Sequence, residues 1–208
     1  IGPGEFFPVV GVGPHEKPWP TGAQYDPELL ENGDRRNVLD HYRYWSVAAI
    51  VADLDSKRHK LQIAIENWQH DLNIGSVVRT ANAFNVSMVH IIGKRDWNKR
   101  GAMVTDRYLT VLHHPTVADF ATWCKENKVP IIGIDNVPSS KHLEGAALPE
   151  KCVLLFGQEG AGMSDEGIEV CEVLYAIEQY GSTRSMNASA AGAIAMYHWA
   201  LQHLPRKS

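Results

Sequence analysis

LLFGQEGAGMS, residues 154–164, sets a short apolar run suited to a buried strand against a turn that holds Gly157, Gly160 and Gly162, and ends on Ser164, a good helix cap. Strand, glycine turn and capped helix in succession are the repeating unit of a parallel α/β sheet. The spacing of Gly157, Gly162 and Ser164 is that of a nucleoside triphosphate loop, but Met163 stands where that loop needs a lysine. Glu159 adds a carboxylate that would repel phosphates. The dinucleotide fingerprint G-x-G-x-x-G is missing as well. The turn therefore suits a ligand that is not a polyphosphate.

Working outward, LQIAI (61–65), MVHII (88–92), PIIGI (130–134), VLLF (153–156) and VLYAI (173–177) are apolar runs bounded by Gly, Asn, Pro or charge. They read as strands buried on both faces. Helical stretches fall between and after them, at 73–84, 117–126, 165–171 and 187–203. The predicted fold is α/β, a mostly parallel sheet with helices on both faces. Its ligand crevice lies beyond the carboxyl ends of the strands, where ENWQHDLN, DN, GQEGAGMS and EQYGSTRSMN converge. Upstream, residues 34–44 read as a polar helix, and Ser46 as the cap of a second one that puts Val47, Ile50, Val51 and Leu54 on one face. Residues 1–27 hold six prolines and five glycines without periodicity. The expected organisation is a flexible tail over 1–27, in part an expression scar, a helical extension over 28–57 and the main domain over 58–208.

At 208 residues and 44% apolar composition, the chain supports one sizeable core. Its net charge of -4 gives no general attraction to nucleic acid, so contact with RNA requires a local basic patch. Residues 94–107, KRDWNKRGAMVTDR, offer five basic side chains against two acidic ones with Trp97 among them, either a solvated face or a surface for a phosphate backbone and a stacked base. Cys124, Cys152 and Cys171 are odd in number and lack C-x-x-C spacing, which fits a cytoplasmic protein and not a disulfide framework. None sits in an electropositive loop, so no thiol chemistry is expected. No apolar run reaches membrane-spanning length and no signal sequence opens the chain. Ten histidines include no H-E-x-x-H, and His113 and His114 would point to opposite faces of a strand, so no metal site is expected.

Two polar groups border the crevice. Asn73 and Arg79 bracket a helix whose apolar positions face the sheet. They read either as a cap and a solvated arginine or as a phosphodiester grip, the latter because Arg79 is the sole cationic residue between Lys60 and Lys94. Ser182, Thr183, Arg184, Ser185 and Asn187 precede a helix of small residues, and capping uses only one of them.

Three segments in order, ENWQHDLNIGSVVRTANAFNV (66–86), LLFGQEGAGMS (154–164) and IEQYGSTRSMNASAAGAI (177–194), resemble the motifs of the SpoU/TrmH branch of the SPOUT RNA methyltransferases. The resemblance covers about residues 60–203. It implies a deep C-terminal trefoil knot, a homodimer, and transfer of a methyl group from S-adenosylmethionine to a ribose 2'-hydroxyl of tRNA or rRNA. It assigns Gly157, Ile177, Met186 and Ile134 to the cofactor, the loop glycines letting the backbone approach it. It assigns Asn73, Arg79, Glu159, Ser185 and Asn187 to the polar active site. Residues 94–107 and Arg206–Lys207 would then grip RNA together with the N-terminal segment. The chain departs from the family pattern at Glu178–Gln179, where Pro-Met is usual, at Met186 in place of leucine and at Asn85 in place of glycine. A base-methylating relative and a non-catalytic RNA-binding relative are the alternatives.

Overall fold

A computed structural model describes residues 11–69 and 73–205, which form two compact units divided after Lys57. In the first unit, α1 (Pro27–Asn32) starts at Asp26, whose carboxylate accepts from Glu28 N at 3.0 Å. The second helix, α2 (Val47–Asp55), starts at Ser46, whose hydroxyl accepts from Ala49 N at 3.1 Å, as its sequence predicts. The polar helix expected over 34–44 does not form; only a 3-10 turn, Asp40–Tyr42, appears there. The reason lies in Asp34, which is fully buried and accepts from Arg36 Nε at 2.8 Å, Arg36 N at 3.0 Å and Tyr44 N at 3.0 Å. A short acidic side chain that binds nearby N–H groups competes with the helix ladder. Of the segment expected as a tail, residues 1–10 lie outside the described residues, whereas Val12 pairs with Asp34 and Tyr25 with Trp45 in antiparallel bridges.

The second unit is built on β1 (His59–Asn67), α3 (Asn73–Ala83), β2 (Val86–Gly93), β3 (Val111–His114), α4 (Val117–Asn127), β4 (Ile131–Ile134), β5 (Lys141–His142), β6 (Cys152–Phe156), α5 (Asp165–Glu169), β7 (Val173–Ala176) and α6 (Ala188–His203). The seven strands lie in the order β3-β2-β1-β6-β4-β7-β5, and every neighbouring pair is parallel. All five strands expected from apolar runs are present, β3 is the strand on which His113 and His114 were placed, and the polar pair β5 is an addition that no apolar run announces.

Alternate residues along the central strands serve opposite faces. Ile63, Ile65, Leu154 and Phe156 pack under α3 and α6 with Val77, Val78, Met196 and Trp199. Ala64, Val153 and Leu155 pack under α4 with Phe120 and Cys124. Helices therefore cover both faces, as a parallel sheet requires. A buried polar chain crosses this core: His90 shares hydrogen bonds of 2.9 Å with Gln62 and with His114, and burial, reinforced by His114, pushes its pKa down to about 3. His113, one residue along, bonds Gly93 O at 2.7 Å instead, consistent with the opposite orientations read from the sequence. No helix among the described residues is long and apolar enough to cross a membrane.

Candidate functional site

The carboxyl ends of β4, β6 and β7 meet at one rim, and the turn after β6 is its centre. Gln158 N donates to Gly162 O at 3.2 Å and Gly162 N returns to Gln158 O at 3.0 Å, which closes a small hairpin over Glu159, Gly160 and Ala161. Gly160 and Gly162 take left-handed backbone, φ 84° and 75°, where a side chain is strained. Gly157 has a different reason: a Cβ there would lie 2.1 Å from Gly162 C and Met163 N. At this position the loop itself fills the space a side chain would need, while Gly157 still lines the cleft described below.

Three buried or half-buried ties hold the hairpin. Met163 N donates to Asp135 Oδ2 at 2.7 Å, just beyond β4. Ser164 N donates to Glu66 Oε2 at 2.8 Å, the Ser164 hydroxyl donates to the other oxygen of the same buried carboxylate, and it accepts Gly167 N at 3.0 Å as the cap of α5. The Met163 side chain turns into the core. The position that a triphosphate loop gives to lysine is thus apolar packing.

After β7 the chain returns across the same rim. Asn136 Nδ2 and Gln179 Nε2 both donate to Arg184 O, at 3.1 and 3.2 Å, and fasten the 177–187 segment over β4. Between this segment and the hairpin lies a cleft lined by Ile134, Gly157, Ile177 and Met186, all four residues assigned to the cofactor from sequence, with Glu159 and Ser185 at its edge.

Beside the cleft, a polar cluster joins three distant parts of the chain. Asn73 Nδ2 donates to Glu159 Oε2 at 3.0 Å, and Asn187 Nδ2 donates to Asn73 Oδ1 at 2.9 Å. Ala188 N donates to the same Glu159 oxygen at 2.9 Å, so this carboxylate sits at the amino end of α6, where a helix favours negative charge. Asn187 also caps that helix, its Oδ1 accepting from Ser189 N at 3.0 Å and Ala190 N at 3.3 Å. Capping and contact with the cluster are thus performed by the two ends of one amide. Arg79 stands exposed on α3, whose buried positions Ile74, Val77 and Val78 face the sheet; it does not line the cleft.

Sequence reading placed Glu66, Asp135, Asn136 and Gln179 in segments that converge on the crevice, and Gln179 as a departure from the family pattern, but gave none of them the positioning role seen here. A carboxylate at the end of a mostly apolar strand, as in LQIAIE, and the Asp-Asn pair after PIIGI were the available signals. Among the described residues, one group with metal-ligand potential gathers elsewhere, His142, Glu144 and Glu178, with ligand atoms within 4.8 Å of one another and all three residues exposed. The three thiols are pushed up to about 12 by burial, which withholds the thiolate that nucleophilic chemistry needs.

Fold and cleft together define an all-parallel α/β domain with a cleft of mixed polar and apolar lining at the strand ends, next to a hydrogen-bonded Asn-Glu-Asn cluster. The chain belongs to the SpoU rRNA Methylase family, whose profile matches residues 60–197. A tRNA (guanosine(18)-2'-O)-methyltransferase of Borreliella burgdorferi is 26% identical over 153 residues, a match spanning 72% of this chain and 70% of that protein. Among solved structures, the A. aeolicus TrmH/SpoU tRNA modifying enzyme superposes with a TM-score of 0.65 at 22% identity, over 75% of this chain and 83% of the other. The SpoU methyltransferase AviRb from Streptomyces viridochromogenes, in complex with AdoMet, gives 0.64 at 21% identity over 73% of this chain and 64% of its own length. At these identities the superpositions establish the fold.

Proposed function

We propose that the chain is an S-adenosylmethionine-dependent methyltransferase that modifies a ribose 2'-hydroxyl in tRNA or rRNA. The observation that carries the reading is the junction of the Asn73–Glu159–Asn187 cluster with the cleft of Ile134, Gly157, Ile177 and Met186. The cleft suits the cofactor by its chemistry: Ile134, Phe156 and Ile177 offer apolar walls to an adenine, and Glu159 offers negative charge to a sulfonium. Ile134, Gly157, Ile177 and Met186 would hold it, and when bound it supplies an electrophilic methyl group. The similarity to a tRNA (guanosine(18)-2'-O)-methyltransferase supports the ribose as acceptor.

The chain's own residues position the acceptor. Glu159 locks Asn73 and the start of α6 into one frame, and the Asn73, Asn187 and Ser185 side chains present amides and a hydroxyl that orient a ribose. Arg79 supplies a fixed positive charge for the adjacent phosphate and for the oxyanion that emerges as the hydroxyl attacks. A guanidinium, with pKa above ~12, keeps its proton, so the hydroxyl proton leaves to that phosphate or to water.

The reading includes a deep C-terminal trefoil knot, a homodimer and a cytoplasmic location. Ile194, Tyr197 and Leu201, exposed at 42%, 56% and 49% along one face of α6, support a second copy as the cover of that stripe. Three free cysteines support a reducing compartment. Residues 28–57 serve as an extension to the methyltransferase domain, 58–208. The test is labelled cofactor with total RNA from cells lacking the protein, the product being digested to nucleosides. A methyl group on ribose is expected, and Arg79→Ala should abolish it while cofactor affinity is retained; normal turnover in that variant refutes the assignment.

A further inference from the structure

A second cavity opens on the same face of the sheet, over its other half. Its floor includes Ile91 of β2 and Val111 of β3, and its rim carries Arg95, Trp97, Lys99 and His113 together with the carboxylates Asp96 and Asp106. Ile91 and Val111 belong to the apolar layer that also contains Ile63, Leu154 and the inner side of α3. Helix α3 separates the two cavities. One of its sides meets α6, with Val77 against Gly192, and another meets the 98–102 strap, where a Cβ on Gly75 would lie 2.8 Å from Ala102 N and 2.9 Å from Gly101 Cα. The helix that carries Asn73 and Arg79 thus runs between the candidate cofactor cleft and this second opening.

Its chemistry is distinct from that of the cleft. The chain carries a net charge of -4, yet residues 94–107 hold five basic and two acidic side chains, a local excess of positive charge on one strap. Lys99 Nζ lies 5.5 Å from the centre of the Trp97 ring and 3.1 Å from Asp106 Oδ2, so the lysine is held over the indole at the cavity mouth. Arg95 and Lys99 are exposed and Trp97 is half-buried. An apolar floor, one indole and two cations on the rim form a receptor for a flat heterocycle attached to a phosphate.

We propose that this cavity binds one nucleotide of the RNA substrate, its base against Trp97 and the apolar floor and its phosphate against Arg95 and Lys99. Only the identification of the ligand as RNA rests on the methyltransferase reading. Three strand spacings, from β6 through β1 and β2 to β3, separate the two openings by roughly 14 Å.

The probe is a short fluorescent oligoadenylate, its binding followed by anisotropy across a salt series and its ultraviolet cross-links mapped by peptide mass spectrometry. The cross-link is expected on the peptide containing Trp97. The Arg95→Ala, Lys99→Ala double variant changes only exposed side chains and should weaken binding with a log-log salt slope shallower by about 1.4, the contribution of two phosphate contacts on a single strand. Trp97→Leu, accepted only if its melting temperature stays near wild type, should weaken binding about fivefold or more. An unchanged slope in the double variant, or cross-links confined to other peptides, overturns the proposal. Calorimetry with S-adenosylmethionine on the same proteins separates the two readings: the double variant should bind cofactor as wild type does. If wild type itself fails to bind cofactor, the methyltransferase assignment falls while the oligonucleotide result still decides this cavity.

Discussion

Gly157→Ala adds one methyl group at a position whose own backbone geometry allows alanine, so its whole effect is steric. The new carbon would sit 2.1 Å from Gly162 C and Met163 N, whereas real Cβ contacts under 3.0 Å essentially do not occur. Both neighbours are backbone, so the hairpin must open by about 1 Å. Overpacking of this kind costs ~1–3 kcal/mol. Losing the Met163 N bond to the Asp135 carboxylate adds ~1.5–3 kcal/mol where it breaks fully. A binding site that must first restore the closed loop at ~3 kcal/mol weakens ligand affinity about 100-fold. Calorimetric titration with S-adenosylmethionine reads this directly, and a thermal melt reports the stability loss at about 2–4 °C per kcal/mol for a domain of this size. Gly160→Ala is the matched control: nothing lies within 4 Å of its Cβ, but φ is 84°, so it incurs only the left-handed penalty of ~1–2 kcal/mol. Gly160→Asn should recover part of that, because asparagine tolerates this region. If Gly157→Ala binds cofactor within about threefold of wild type and melts at the same temperature, the steric account of the hairpin is wrong.

Asn187→Ala removes both the α6 cap and the link to Asn73, and should lower stability by about 1–2 kcal/mol in denaturant titration. Asn187→Asp keeps the cap but turns the Nδ2 donor into an acceptor facing Glu159 and Asn73; it should lose methylation and be destabilised by carboxylate repulsion that eases when acid protonates the pair. Asp34 is held at about 2, below its ordinary 3.8, because hydrogen bonds and charge from Arg36 outweigh the opposing effect of burial. Its folded pKa is depressed, so the carboxylate stabilises the first unit by about 2 kcal/mol above pH 3.8, and that contribution is lost as pH falls through about 2. In pH-dependent melts, the gap between wild type and Asp34→Asn should therefore narrow over that window; a constant gap contradicts the assignment. Iodoacetamide at pH 8 should leave all three cysteines of the native protein unmodified, as mass spectrometry would record, since each thiol lies near 12.

The strands were legible because a parallel strand buried on both faces is an apolar run: β4 and β6 are buried throughout, the runs in β1 and β2 are broken only by Gln62 and His90, and half-buried β7 is still apolar in sequence. Edge strand β5, Lys-His, has no such signature; its pairing to β7 is decided by neighbours far along the chain. The 34–44 segment misled because its polar periodicity said nothing of Asp34 being buried among N–H donors. At the site, residue identity and order were enough to nominate Gly157, Glu159, Ser185 and Asn187. The ties of Glu66 to Ser164 and of Asp135 to Met163 left no trace, because a carboxylate that accepts from a distant backbone N–H imposes no spacing on either partner. Likewise, the sequence could not say that Gly157 serves the loop before it serves any ligand.

Strand order carries a consequence for biosynthesis. β6 lies between β1 and β4, both of which leave the ribosome before it, and the Asn73–Asn187 bond spans 114 positions. A nascent chain that has emitted both flanks still lacks the strand that joins them, and the amide that completes the cluster arrives only with the start of the last helix. Such late, long-range closure is slow. Truncated translation products should accumulate as chaperone clients with exposed sheet edges and should not compete with the finished protein for cofactor.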